Sequence, residues 1–502
     1  MAESLPLPPT PLWSVPERHA QQRSHEVALR FEDGDLSWGR FAARIDQAAC
    51  LLWHGWGVRT GDRVAWLGLN HPEQLVLLFA LARIGAALLP LNFRLAPHEW
   101  DQQLHDCTPA HLVHDAAWAE QAGALAARCA LAVHSLGELH AAPSGRFAVE
   151  ARGADLPVLL VFTSGTSGRS RAAVHTQANL LANMRIASQL QQIAPEDRIL
   201  TVLPLFHVGG LCIQTLPALY AGASVTLHAR FSADACLAAI ARERSTLTLQ
   251  VPATMKALVE HPQWAQADLS CLRAVWAGSS VLPSPLVRAF LDRGLPLCNV
   301  YGATETGPFS IALPPAAAAT HIGSCGWPAP GVEVRLLDAK AGVGELLVRG
   351  PNVVARYWPD RPACDPQGWF HSGDLATRAD DGSFTVAGRA TDLIISGGEN
   401  IDPLEIETAV AAHPAVVECA VFGLPHPHWG AAVAVAVVLR GDAQLSADSL
   451  AQSLHGRLAR FKLPRRLFVV TALPKTALGK VQRRTLASMA ASGDLGVGSC
   501  RE

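Results

Sequence analysis

The sequence predicts an α/β protein. A large N-terminal domain of layered sheets, with a small β-barrel-like part, precedes a small mobile α+β C-terminal domain. Three observations lead there. Short Val-, Leu- and Ile-rich runs alternate with Ala-rich stretches through most of the 502 residues, the pattern of largely parallel sheets covered by helices. The texture changes near residue 325 to short strands punctuated by Gly and Asp. The chain after residue 390 holds enough helices and strands to fold as a unit of its own.

Strands are expected at 64–67, 159–162, 199–203, 224–227, 247–251 and 274–277, each a short apolar run. Helices are expected between them at 73–84, 177–189, 233–242 and 285–293. The longest apolar run, 75–89, is broken by Arg83 and is too short to span a bilayer, so it reads as a buried helix. Segments 332–337, 344–349 and 384–387 read as short strands, with Asp381-Gly382 as a hairpin turn. Beyond a hinge at 389–391 the order is helix 403–412, strands 416–423 and 431–439, helix 447–460, strand 466–471 and helix 481–489. The expected domains are therefore residues 1–389 and 390–502.

Composition narrows the function. Lys and Arg number 41 against 43 acidic residues, for a net charge of −2. No global field draws this chain to nucleic acid or to an anionic membrane. The eleven cysteines are odd in number and form no CxxC pair. They read as free thiols of a reducing compartment, hence a cytoplasmic protein. The Pro-rich N-terminal stretch has no apolar core of a signal peptide, so none is expected. Only five basic residues are lysine, at 256, 340, 462, 475 and 480, and three of those lie close together. Where Arg is the default, a Lys marks a place suited to a compact point charge.

Four segments carry chemistry. Thr163-Ser164-Gly165-Thr166-Ser167-Gly168-Arg169-Ser170-Arg171 follows an expected strand and precedes an expected helix. It reads either as a nest of backbone N–H groups for phosphate, with Arg171 adding charge, or as a flexible Ser/Gly turn. It is not a Walker A loop. Asn299-Val300-Tyr301-Gly302-Ala303-Thr304-Glu305-Thr306-Gly307 packs an aromatic ring, hydroxyls and a carboxylate into an expected loop. Tyr301 could stack a base and Glu305 could hold Mg²⁺, or the segment is a strand-end turn with a solvated Glu305. Asp374, in a Gly turn, reads as a ribose ligand or an Asx turn, and Arg389 as its helper or a surface charge. The last segment, Pro474-Lys475-Thr476-Ala477-Leu478-Gly479-Lys480, puts a lysine on a Gly-containing loop that can swing into a site or lie in solvent.

In this order and spacing, with Pro204-Leu205-Phe206-His207 and Ser396-Gly397-Gly398-Glu399-Asn400 added, the chain resembles the adenylate-forming acyl- and aryl-CoA synthetase superfamily. The texture is most similar to benzoate-type ligases such as 4-chlorobenzoate–CoA ligase. The resemblance implies two half-reactions: a carboxylate attacks ATP to give acyl-AMP, and coenzyme A thiol then displaces AMP. It implies that residues 163–168 and Arg171 surround the phosphates, with Thr304 on the α-phosphate and Glu305 on Mg²⁺. Gly278, Ser279, Ser280, Val300 and Gly302 would bind the nucleotide, with Asn299 on the adenine amine, Tyr301 stacked on the ring, and Asp374 and Arg389 on the ribose. Lys480 would bridge carboxylate and α-phosphate. Asn183, His207, Trp276, Ala277, Gly278 and Ala303 would shape the acyl pocket. Gly397, Gly398, Trp429 and Phe461 would meet coenzyme A after the small domain rotates.

Four positions depart from that family's pattern. Arg171-Ala172 replaces the usual Lys-Gly of the phosphate loop, Thr391 stands at the hinge, and Leu463 occupies the place of an Arg for coenzyme A phosphate. Lys462, Arg465 and Arg466 are the expected substitutes for that Arg. The resemblance implies ATP, Mg²⁺ and coenzyme A, an aromatic or medium-chain acid, no nucleic acid, no transmembrane segment, and a homodimer as the assembly it allows. The other readings are an o-succinylbenzoate–CoA ligase, a ligase that loads a carrier protein, and a non-catalytic nucleotide binder.

Overall fold

The computed structural model describes residues 11–32, 34–142, 145–148, 153–163, 170–278, 282, 284–340, 342–389, 394–401, 403–474, 481, 483–495 and 499–500. The expected hinge residue Thr391 lies outside them. Among the described residues the strands form four sheets. A nine-stranded sheet has Arg198–Thr201, Leu247–Gln250, Ala274–Ala277 and Leu297–Tyr301 side by side and parallel. An eight-stranded sheet centres on Arg63–Leu67, Ala87–Pro90 and Pro157–Thr163. A four-stranded antiparallel sheet follows, from Glu333–Lys340 to Phe384–Arg389. The last sheet, between Ile394–Ser396 and Ser499–Cys500, belongs to the small domain. The molecule is a mixed α/β protein with a large N-terminal and a small C-terminal domain, as expected.

Helix Pro72–Ile84 shows why these residues fold as they do. His71 caps it by accepting the Glu73 N–H at 3.1 Å, Pro72 occupies the first turn, and Gly85 ends it at φ 85°. From Glu73 to Ile84 every residue is buried, so the helix is apolar on all faces. Arg83 is tolerated there because it pairs with Asp46 and donates to the Phe147 carbonyl at 3.0 Å. The helix expected over 73–84 is thus present, and the apolar run 75–89 read as a buried helix is split after it. Gly85 reverses the chain, and Ala87–Pro90 leaves as a strand.

Two further expectations are corrected. The segment 163–171 does not lead directly into a helix. Strand Arg171–Thr176 pairs antiparallel with Pro157–Thr163 first, Thr163 facing Arg171, and helix Gln177–Gln191 begins only after the Thr176 cap. The helix expected over 447–460 stops at Leu454, because His455 is extended and Gly456 sits at φ 77°.

Apolar side chains from Leu12 to Phe384, including Trp66, Phe79 and Trp276, make one large core cluster. In the small domain the hairpin Val416–His426 and Gly430–Leu439 alternates strictly. Val421, Val433, Val435 and Val437 face one core, and Ala420, Phe422, Ala434 and Ala436 face the other. A strand covered on both faces reads as a near-continuous apolar run, which is why 431–439 is so easily seen in the sequence.

Phe79 is fully buried and meets Phe41 edge-on at 5.8 Å. Phe79→Ala is expected to cost about 3–5 kcal/mol, read as a lower denaturant midpoint for the large domain.

Candidate active site

The ends of the two large sheets converge on Glu305. Strand Leu297–Tyr301 runs into a one-turn 3-10 helix, Thr304–Thr306. The Thr306 hydroxyl accepts the Ala303 N–H at 2.9 Å, and Asn352 donates to the Thr306 carbonyl at 2.5 Å, so the turn is held on both sides. Gly302 allows it: a Cβ there would lie 1.7 Å from the Pro308 carbonyl oxygen. Glu305 is buried. Its Oε1 accepts the Tyr357 hydroxyl at 2.8 Å, and its backbone carbonyl accepts the Val354 N–H. Burial and the Glu305 carboxylate push the Tyr357 phenol well above its usual range, so it stays a donor. The Arg171 guanidinium lies 4.2 Å over the Tyr357 ring. Arg171, Tyr357 and Glu305 thus form a stack beside Thr163, whose Oγ1 is buried with no partner. Ser164, Gly165, Thr166, Ser167 and Gly168 lie outside the described residues, between these two flanks.

Asn299 and Tyr301 stand on a strand rather than in the loop the sequence suggested. Asn299 Nδ2 donates to the Ser324 carbonyl at 3.1 Å and to Cys325 Sγ at 3.4 Å. Both amide hydrogens are used, which leaves the Oδ1 side to receive a ligand amine. Tyr301 donates to Asp374 Oδ2 at 2.7 Å. Asp374 pairs with Arg389 across the ladder of Phe370–Arg378 and Phe384–Arg389. A Cβ on Gly278 would lie 2.7 Å from the Val300 carbonyl oxygen, so the two strand ends approach closely. Ser279, Ser280 and Lys480 lie outside the described residues.

Asn183 is fully buried on helix Gln177–Gln191. Its Nδ2 donates to the Cys212 carbonyl at 2.7 Å, while its Oδ1 has no partner and lies beside Gly307. Trp276 is fully buried next to Phe309, its Nε1 also without a partner, and Ala277 follows it on the same strand. His207 accepts the Gly209 N–H through Nδ1 at 3.0 Å, and burial lowers its pKa, favouring the neutral ring.

His207 also opens onto a cavity of about 130 Å³ that both domains line. The large domain supplies Phe93, Arg94, Phe206 and Phe231, and the small domain supplies Gly397, Gly398 and Glu399. Arg94 and Glu399 pair across it at 2.5 Å. Trp429 packs under Gly397, accepting its N–H through the backbone carbonyl at 2.9 Å, and Arg465 lies 5.1 Å over the indole. Phe461 packs against the small-domain core, and Leu463 is buried in it. Lys462 is not available to a phosphate. It is 8% exposed and held by Glu99 at 2.5 Å and Glu405 at 2.7 Å. Burial and the Glu99 charge raise Glu405 to about 7 against the pull of Lys462.

Sequence reasoning missed Tyr357, Asn352, Arg94 and the Glu99–Glu405 pair. Tyr357 left one trace: the chain has only three tyrosines, and two of them stand at this site. Among the described residues no three His, Cys, Asp or Glu side chains cluster as a metal cage. A single carboxylate fits Mg²⁺ that is shared with substrate phosphates, and Glu305 is such a group.

This arrangement has relatives. Residues 16–358 match the AMP-binding enzyme family and 405–480 match the AMP-binding enzyme C-terminal domain. The chain belongs to the AMP-binding enzyme family. It is 42% identical to an indoleacetate–CoA ligase of Aromatoleum aromaticum, over 93% of this chain and 96% of the relative. Its backbone is similar to o-succinylbenzoate CoA synthetase of Bacillus subtilis, solved as a double mutant with a product analogue. The TM-score is 0.87 at 30% identity, over 95% and 98% of the two chains. ATP-bound MatB of Rhodopseudomonas palustris matches over the same shares and at the same identity with a TM-score of 0.72.

Tyr357→Phe removes the hydrogen bond to Glu305 and keeps the ring under Arg171. A hydrogen bond to a charged group is worth roughly 1.5–3 kcal/mol. Acid-dependent ATP–pyrophosphate exchange is expected to fall about tenfold or more, with the Mg²⁺ requirement shifted upward in a metal titration.

Proposed function

We propose that this chain joins an aromatic or medium-chain carboxylic acid to coenzyme A through an acyl-AMP intermediate. As a member of its family it is an AMP-forming acid–thiol ligase. The observation that carries the finer reading is the cavity shared by His207 and the Gly397-Gly398 turn. A passage walled by both domains and ending at the acyl side suits a slender thiol arm.

In the first half-reaction a carboxylate oxygen attacks the α-phosphorus of ATP, and pyrophosphate leaves. The charge that gathers there needs fixed positive and N–H donors. Residues 163–168 and Arg171 are assigned to the phosphates, Thr304 to the α-phosphate and Lys480 to the developing charge between acid and phosphorus. Bound Mg²⁺ would neutralise phosphate charge, with Glu305 as its carboxylate. Asn299 Oδ1 would accept the adenine amine and Tyr301 would lie along the ring, with Val300, Gly302, Gly278, Ser279 and Ser280 around it. The Tyr301 hydroxyl on Asp374 Oδ2 orients that carboxylate toward the ribose hydroxyls, with Arg389 beside it. In the second half-reaction the thiol sulfur attacks the acyl carbon, AMP leaves, and the thiol proton passes to solvent or phosphate. Gly397, Gly398, Trp429 and Phe461 are assigned to coenzyme A, with Arg465 in the part once expected of Lys462.

The acyl side is built from Asn183, His207, Trp276, Ala277, Gly278 and Ala303. The aromatic acids named for the two CoA-forming relatives support an aryl substrate. The small walls and buried Trp276 support one of modest size. We also propose domains at 1–389 and 390–502, because each apolar cluster of the described residues stays on one side of that boundary. A cytoplasmic place is supported by the free cysteines, whose burial raises Cys107 and Cys236 to about 12. No helix among the described residues is long and apolar enough to cross a membrane.

The test is pyrophosphate release with MgATP over a panel of benzoates, cinnamates, arylacetates including indoleacetate, C4–C12 fatty acids and o-succinylbenzoate. One aromatic or medium-chain acid is expected to drive release, and coenzyme A to accelerate it with thioester formed in equal amount. Release that ignores coenzyme A in every case would overturn the thiol assignment. Asn183→Leu is expected to change which acid is preferred, read as a change of tenfold or more in the kcat/KM ratio of two panel acids.

A further inference from the structure

Lys462 is a small-domain lysine buried against a large-domain carboxylate. Its ammonium lies 2.5 Å from Glu99 Oε1 and 2.7 Å from Glu405 Oε1. Glu405 stands on helix Pro403–Ala411 of the same domain as Lys462, so that contact travels with the domain. Glu99 belongs to helix Pro97–Cys107 of the large domain. Its other oxygen accepts the Ala96 N–H at 3.0 Å, which fixes the carboxylate to the helix start. The Glu99–Lys462 contact therefore exists only while the small domain sits where it sits here.

Among the described residues, two other polar contacts cross the same boundary. Arg94 meets Glu399, and Lys256 donates to the Pro427 carbonyl at 2.7 Å. Their cationic side chains are 43% and 33% exposed, against 11% for Lys462. Exposed pairs are screened by water and hold little. Among the described residues, the ammonium with one carboxylate on each side is the most buried of the three contacts in this domain arrangement. What the arrangement builds is the shared cavity, since Gly397, Gly398 and Glu399 form its small-domain wall.

We propose that Lys462, bridging Glu99 and Glu405, is a positioning residue for the thiol-transfer half-reaction: it pins the small domain so that the Gly397-Gly398 turn closes the cavity at His207. This rests on the coenzyme A reading above. Among the described residues, the ammonium's ion-pair partners are Glu99 and Glu405 and none of those assigned to acid or nucleotide, so its effect is expected in one half-reaction alone. Lysine suits the place because a compact ammonium fits between two carboxylates, where the planar fork of the far commoner Arg would need more room.

The experiment separates the halves with Glu99→Gln, which keeps an oxygen for the Ala96 N–H and removes the charge. With the best acid of the panel, ATP–pyrophosphate exchange is expected to stay within twofold of wild type. Thioester formation from preformed acyl-AMP on the enzyme, started by adding coenzyme A, is expected to slow about tenfold. Lys462→Met should reproduce that split, and the double variant should be no slower than the slower single one. Equal losses in both half-reactions, or no loss in either, would overturn the proposal. A wild-type enzyme that forms acyl-AMP yet never transfers it to coenzyme A would overturn the ligase reading as well. That outcome is told apart by the wild-type arm alone.

Discussion

A single phenol holds the two large sheets in register at the candidate site. Tyr357 pairs with Ala173 in the eight-stranded sheet and donates to Glu305, which follows a strand of the nine-stranded one. Arg171 covers the ring from the start of strand Arg171–Thr176. The carboxylate is thereby carried by one sheet and Arg171 by the other, and their separation follows from ring thickness and one hydrogen bond. Charge placed this rigidly, in a partly dry setting, needs no reorganisation as a reaction proceeds.

The side proposed for adenine obeys a similar logic with different parts. Strand ends approach within contact because Gly278 and Gly302 carry no Cβ. Asn299 spends both amide hydrogens on the chain itself, so its orientation toward a ligand is decided before any ligand arrives. The small domain differs in kind. Its cores are its own, and it meets the large domain chiefly through polar bridges, which form and break at far less cost than a shared apolar core.

The fold was legible where burial dictates pattern. The parallel strands 224–227 and 274–277 and the apolar hairpin of the small domain follow from periodicity alone. The end at Gly85 matched the expected helix 73–84, whereas Gly456 ends a helix inside a stretch whose composition reads as continuous. Strand Arg171–Thr176 was hidden because it is short and begins in a polar segment. At the site, residues clustered in sequence were visible as motifs, since phosphate and ribose ligands need Gly, Ser and carboxylates close together. Partners that meet only by folding were not. Tyr357 and Glu305 are 52 positions apart, and Lys462 and Glu99 are 363 apart. No local period records such a pairing, which is why Lys462 stood beside Arg465 and Arg466 among the expected substitutes for the coenzyme A arginine.

The cavity at His207 has a wall on each domain, and this makes it a thermodynamic coupler. Whatever fills it touches both bodies and must raise their affinity for each other. By reciprocity, whatever strengthens their contact must raise the affinity of the occupant by the same factor. Tight docking and fast departure of product are thus opposed. An enzyme with this architecture turns over best when its interdomain contacts are of intermediate strength.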